Sequence, residues 1–147
     1  MFSFSPFALC PFSPLPLTLF PMFEIDRSLM VVTPKQPFLD WAQSVDFEEG
    51  LTLEDVREDS TAYLIPQYWE KSEETEILEW CYELLFEVEL ESWFTDPALW
   101  PQERNLKMFL EWFDVDFQSL VFDLGEPPIQ VIDYGPDDTD TTGSNGN

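Results

Sequence analysis

Five glutamates, Glu76, Glu79, Glu83, Glu87 and Glu91, recur at three- and four-residue steps inside SEETEILEWCYELLFEVELESWF, so on a helix they share one face. Carboxylates four apart can take up a divalent cation together or receive the cationic side chains of a partner. A lone stripe with no facing second set holds a metal only weakly. Like charges at i,i+4 also cost roughly 0.2–0.5 kcal/mol each. The stripe therefore reads as a solvated face or as a surface for a basic protein, and no metal or cofactor is expected. Tyr68-Trp69, in a loop beside Glu70, adds an aromatic pair that can receive a cation, the alternative being a loop plug. Glu76, Glu79, Glu83, Glu87, Glu91, Tyr68 and Trp69 form the expected partner-binding set.

Other groups support chemistry less well. Asp114-Val115-Asp116 matches a short acidic triplet that some nucleotide-sugar enzymes use to hold a metal, but here it precedes a predicted strand. Sites in open α/β sheets gather at the carboxyl ends of strands, which points instead to Thr33, Lys35, Gln67, Asp123 and Glu126. Among these, Lys35 with Asp123 is the one acid–base pairing available. The chain has no histidine, which removes Ser-His-Asp and Cys-His nucleophiles and imidazole acid–base catalysis. Cys10 and Cys81 are too few for a zinc site. The five glycines, Gly50, Gly125, Gly135, Gly143 and Gly146, make no phosphate loop. No catalytic residue is assigned.

Charge narrows the partners. Thirty acids oppose six bases over 147 residues, for a formal net charge of −24, and residues 27–134 alone hold twenty-five acids and six bases. Such a polyanion repels phosphate backbones and anionic lipid, so neither direct nucleic-acid binding nor membrane binding is expected. The reading is a small acidic protein-interaction module for a basic partner. The alternatives are a metal-assisted enzyme using strand-end carboxylates and a nucleic-acid mimic that occupies a nucleic-acid-binding protein.

The positioning elements follow from periodicity and caps. Ser72 to Phe94 predicts a helix of about six turns, with Ser72 as N-cap and Ile77, Trp80, Cys81, Leu84, Leu85 and Val88 as its buried stripe. Leu29 to Val32 predicts a strand. Thr33-Pro34-Lys35-Gln36 then reads as a capping box that opens a helix burying Phe38, Trp41, Ala42 and Val45. In the acidic connector that follows, Thr52 and Asp55 can cap one or two turns over Leu51 to Val56. Thr61 to Ile65 is the second strand, stopped by Pro66. Pro101 to Phe113 is a further helix with Leu106, Phe109, Leu110 and Phe113 inward and a Glu103–Lys107 pair. Phe117 to Leu124 is the third strand. Trp41, Trp80, Trp93, Trp100 and Trp112 read as core, and Cys81 as a buried free thiol suited to a reducing cytoplasm.

The expected fold class is α/β, a small three-stranded sheet in β-α-β-α-α-β order packed with helices, with right-handed crossovers wherever neighbouring strands run parallel. Ile129 to Tyr134 is available as a fourth, edge strand. Residues 29–128 are expected to form the single domain and 129–147 that edge strand followed by an acidic disordered tail. Residues 1–28 are expected to be a disordered or non-native upstream segment. They carry Pro6, Pro11, Pro14, Pro16 and Pro21, which rule out a signal peptide or a spanning helix, so Met22 or Met30 is the expected start. The runs MVVTPKQPFLDWAQSVD, LTLEDVREDSTAYLIPQY and ESWFTDPALWPQERNLKMFLEWFDVDFQSLVFDLGEPP resemble a family of small bacterial proteins of about this length, over Met30 to about Pro128. The resemblance favours Met30 as the start and implies no activity and no site residue.

Overall fold

Along Arg27–Pro34 the side chains alternate, with Ser28, Met30, Val32 and Pro34 buried and Leu29, Val31 and Thr33 half-covered, the period-2 pattern of a strand with one face packed. In the computed structural model, which describes residues 22–58, 60–126 and 128–132, ten elements follow one another. They are β1 (Phe23–Glu24), β2 (Arg27–Pro34), α1 (Gln36–Val45), α2 (Leu53–Glu58), β3 (Thr61–Pro66), α3 (Ser72–Glu91), a 3₁₀ turn (Pro97–Leu99), α4 (Leu106–Trp112), β4 (Phe113–Gln118) and β5 (Phe122–Asp123). The fold is a small α/β arrangement. Its main sheet is three-stranded in the order β3-β2-β4, and β1 with β5 makes a second, two-stranded sheet. Phe23–Phe122 form one compact unit.

Both neighbours of β2 run antiparallel to it, so the main sheet has no parallel pair to which a right-handed crossover would apply. Met30 faces Tyr63 on one side and Phe117 on the other, and Val32 faces Thr61 and Val115. These residues share the covered face. Above it lie Phe38 and Leu39 of α1, Val56 of α2, Leu78, Leu85, Phe86 and Leu90 of α3, and Phe109 of α4.

The third strand lies earlier than predicted. Phe113, Val115 and Phe117 turn inward while Asp114, Asp116 and Gln118 face water, so the acidic triplet is strand, and Leu120 is exposed. The helix before it is correspondingly short. Asn105 accepts from the Met108 amide at 2.9 Å, which starts α4 at Leu106 and leaves Glu103 outside it. Lys107 pairs with Glu111 instead, at 3.8 Å, and Leu110 is exposed. Thr33 is no cap: the ladder of β2 with β4 runs through it to Pro34, and α1 begins after Lys35 without a side-chain cap. Ser72 does not cap α3 either. There the Glu73 carboxylate accepts the Trp69 and Glu70 amides at 2.8 and 2.7 Å, and these bonds lower its pKa.

The Thr52–Asp55 cap forms as expected. Asp55 accepts from the Thr52 amide and hydroxyl at 2.8 and 2.6 Å, and the Asp55 amide donates to Thr52 Oγ1 at 3.3 Å, so the turns it starts become α2. Cys81 is a buried free thiol, and burial raises its pKa. Residues 129–132 form no strand. The rest of that predicted edge, the acidic tail from 133 and the uncharged stretch 1–21 lie outside the described residues.

The compact unit begins before residue 29. Ser28 is fully buried; its hydroxyl donates to the Ser119 carbonyl at 3.2 Å and accepts from the Tyr68 amide at 3.3 Å. Replacing Ser28 by Val removes both bonds and leaves two backbone groups without that partner, so stability should fall by about 1–3 kcal/mol. A chain begun at Met30, one of the two expected starts, loses Ser28 and should melt below a chain begun at Met22. Thermal unfolding of both variants checks this, and unchanged midpoints would show that the Ser28 bonds are dispensable.

Candidate interaction face on the long helix

Two stripes of side chains compete to be the inner face of α3, and packing selects the one centred on Leu78, Cys81, Leu85, Phe86, Glu89 and Leu90. Phe86 decides the rotation. Its ring meets Phe109, Trp112 and Phe113 at centroid distances of 5.7, 5.5 and 5.6 Å, mostly edge-on or tilted, as aromatic rings prefer. The predicted stripe is thereby corrected. Cys81 and Leu85 are buried, but Trp80 is 73% exposed, Leu84 64% and Val88 38%. Trp41, Trp93, Trp100 and Trp112 pack partly buried against the core.

The outward face of α3 therefore carries two parallel rows at four-residue steps. One is Glu76, Trp80, Leu84 and Val88; the other is Glu79, Glu83, Glu87 and Glu91, and all eight are exposed. Glu83 accepts from the Tyr82 hydroxyl at 3.1 Å. Glu87 pairs with Arg104 at 3.0 Å, the guanidinium also lying 5.7 Å from the Trp100 ring centre. Arg104 and its contact with Glu87 were absent from the sequence reading, because the pair spans seventeen residues and has no local spacing signal.

Tyr68 and Trp69 do not act as a pair. Tyr68 is 5% exposed, edge-on to Phe117 at 6.0 Å and donating to Glu74 at 3.1 Å, so it belongs to the core and leaves the partner-binding set. Trp69 remains 77% exposed.

Of the strand-end groups, Lys35 and Asp123 have local partners. Asp114 lies between Lys35 at 3.7 Å and Arg57 at 3.6 Å. Lys35 Nζ donates to the Leu110 carbonyl at 2.7 Å, and Arg57 Nε to that of Pro34 at 3.0 Å. Lys35 thus has Asp114 as its carboxylate, whereas Asp123 accepts from the Gly125 amide at 2.8 Å. A cleft of about 320 Å³ beside β4 has Leu78, Leu106, Phe113 and Phe117 among its walls and Glu74 and Asp114 at its polar positions. Among the described residues no group of three or more His, Cys, Asp or Glu is arranged to hold a metal, and no helix is long and apolar enough to cross a membrane. Comparisons with protein-family models, curated proteins and solved structures give no match for this chain.

Sequence reasoning also missed Glu89, which is 4% exposed and accepts from the Tyr63 hydroxyl at 2.6 Å. Burial raises its pKa above the ordinary 4.5, opposed by the Tyr63 and Thr61 hydroxyls, which favour the ionised form. Tyr63 is pushed up in turn, first by burial and then by the Glu89 carboxylate. Between 4.5 and the raised value the folded chain binds more protons than the unfolded one, so this group's contribution to stability falls as pH rises through that window. Glu89→Gln removes the effect. The variant should gain in melting temperature relative to the parent as pH is raised from 4 to 8 (a span of about four units around the window), and parallel curves would show that burial does not raise the Glu89 pKa.

Proposed function

We propose that the chain is a non-catalytic acidic interaction module that receives a basic partner protein on the outward face of α3. One observation carries the reading: Glu76, Glu79, Glu83, Glu87 and Glu91 all face solvent, and of the five only Glu87 has an ion-pair partner among the described residues. Unpaired carboxylates at four-residue steps repel one another. A basic partner relieves that repulsion and gains fast, salt-sensitive association from the field of a polyanion. Exposed Trp69, one loop before α3, offers a ring face to the same class of cationic side chain.

Titration with a defined Lys-rich polypeptide tests the reading. Affinity should fall about ten-fold or more as sodium chloride is raised from about 0.05 to 0.3 M, since screening shortens the reach of surface charge. Glu79→Gln, Glu83→Gln and Glu91→Gln together should weaken binding at low salt and raise the melting temperature. The same number of neutralisations at Glu48, Glu49 and Glu54, exposed residues elsewhere on the chain, should weaken it less. Equal losses from both triples would mean that net charge alone attracts the polypeptide, and the α3 reading would be dropped.

A further inference from the structure

Water meets an apolar ridge on α3 where a globular chain ordinarily turns carboxylates outward. Trp80, Leu84 and Val88 stand at four-residue steps on the exposed side, each step about 6 Å along the axis, so the ridge is about two turns long and slants across the helix. The row of Glu79, Glu83, Glu87 and Glu91 runs beside it, and Glu76 continues the ridge at its N-terminal end. Apolar area left in water forgoes about 25 cal/mol per Å² relative to area that a partner covers. The surrounding charge selects that partner. A second copy laid face to face would bring two such glutamate rows together, and an anionic membrane surface meets the same repulsion.

We infer that the occupant is a basic amphipathic helix of a partner protein, its apolar stripe lying along Trp80, Leu84 and Val88 and its Lys and Arg side chains reaching Glu79, Glu83 and Glu91. The inference rests on the interaction reading above and adds the shape of the ligand. An extended segment also repeats side chains every 6 to 7 Å, but against a helix it finds no strand to pair its backbone N–H and C=O groups. A helical segment satisfies its own backbone and presents residues at i, i+4 and i+7 or i+8 to the matching ridge. The face of the Trp80 indole takes a cationic side chain at the rim.

Two synthetic peptides of about 18 residues test this, both built from Leu and Lys in the same numbers. One places Leu at helical spacing; the other scrambles the order so that no stripe forms. At about 0.1 M salt the patterned peptide should bind the full chain about ten-fold tighter than the scrambled one and gain helical circular dichroism on binding. Leu84→Gln and Trp80→Ala, both at exposed positions and expected to leave the melting temperature within a degree or two, should bring the patterned peptide down to the scrambled level without changing the scrambled one. Equal binding of the two peptides to the parent chain overturns the helix inference and leaves the acidic-module reading standing. Failure of both to bind at low salt overturns that reading as well. Sedimentation showing a dimer that Leu84→Gln dissociates would name a second copy as the occupant and overturn the inference too.

Discussion

The ring of Phe113 is where the layers of the compact unit are joined. It is the residue that ends α4 and begins β4, almost fully buried, and its centroid lies 5.2 Å from Phe38 of α1, 5.6 Å from Phe86 of α3 and 5.0 Å from Phe109 of α4. Three helices and one strand thus meet on one side chain. Each aromatic pair adds roughly 0.5–1.5 kcal/mol to the burial of its area, and truncating such a residue costs about 3–5 kcal/mol. The backbone at the junction is held as well, because the Lys35 amide donates to the Trp112 carbonyl at 2.8 Å and Pro34 stands opposite Phe113 in the ladder.

One residue further on, the strand turns its other face outward, and Asp114 draws Lys35 and Arg57 toward it. Half-exposed ion pairs of this length contribute little by themselves. Their two backbone bonds, to Leu110 and Pro34, give them a positional role, fastening the start of α1 to α4 and the end of α2 to the sheet. Lys35, Arg57 and Asp114 thus engage one another at that end of the sheet.

The aromatic junction also decides what the molecule shows to partners. Once Phe86 is committed to Phe109, Trp112 and Phe113, a helix turning 100° per residue must carry Trp80, Leu84 and Val88 to the outside, beside the glutamates. The same rotation drives Glu89 inward, where the Tyr63 hydroxyl receives it. Burying a carboxylate this way is costly unless it is hydrogen-bonded or protonated, and here the Tyr63 hydroxyl supplies such a bond.

Local patterns in the sequence were enough to place several elements. Thr61 to Pro66 is bounded by its terminal proline, Thr52 and Asp55 announce a cap, and the glutamate spacing of residues 76–91 assigns both the helix and the exposure of those five carboxylates. These features depend on neighbours within four residues. Tertiary structure decided the rest. The strand Phe113–Gln118 alternates apolar and polar residues as a half-buried strand should, yet the expected strand begins only at Phe117, after the aspartates, and it is pairing with β2 that puts them on the outer face. The inner face of α3 was ambiguous for a different reason. With Ile77, Leu78, Trp80, Cys81, Leu84, Leu85, Phe86, Val88 and Leu90 all apolar, two overlapping stripes satisfy the helical period, and the glutamate at 89 argued against the stripe that in fact packs. Periodicity measures only how apolar residues repeat along one helix; which repeat faces inward depends on the shape of the surface it meets, and that surface is built from α4 and β4, which begin at Leu106 and Phe113, well beyond the end of α3 at Glu91.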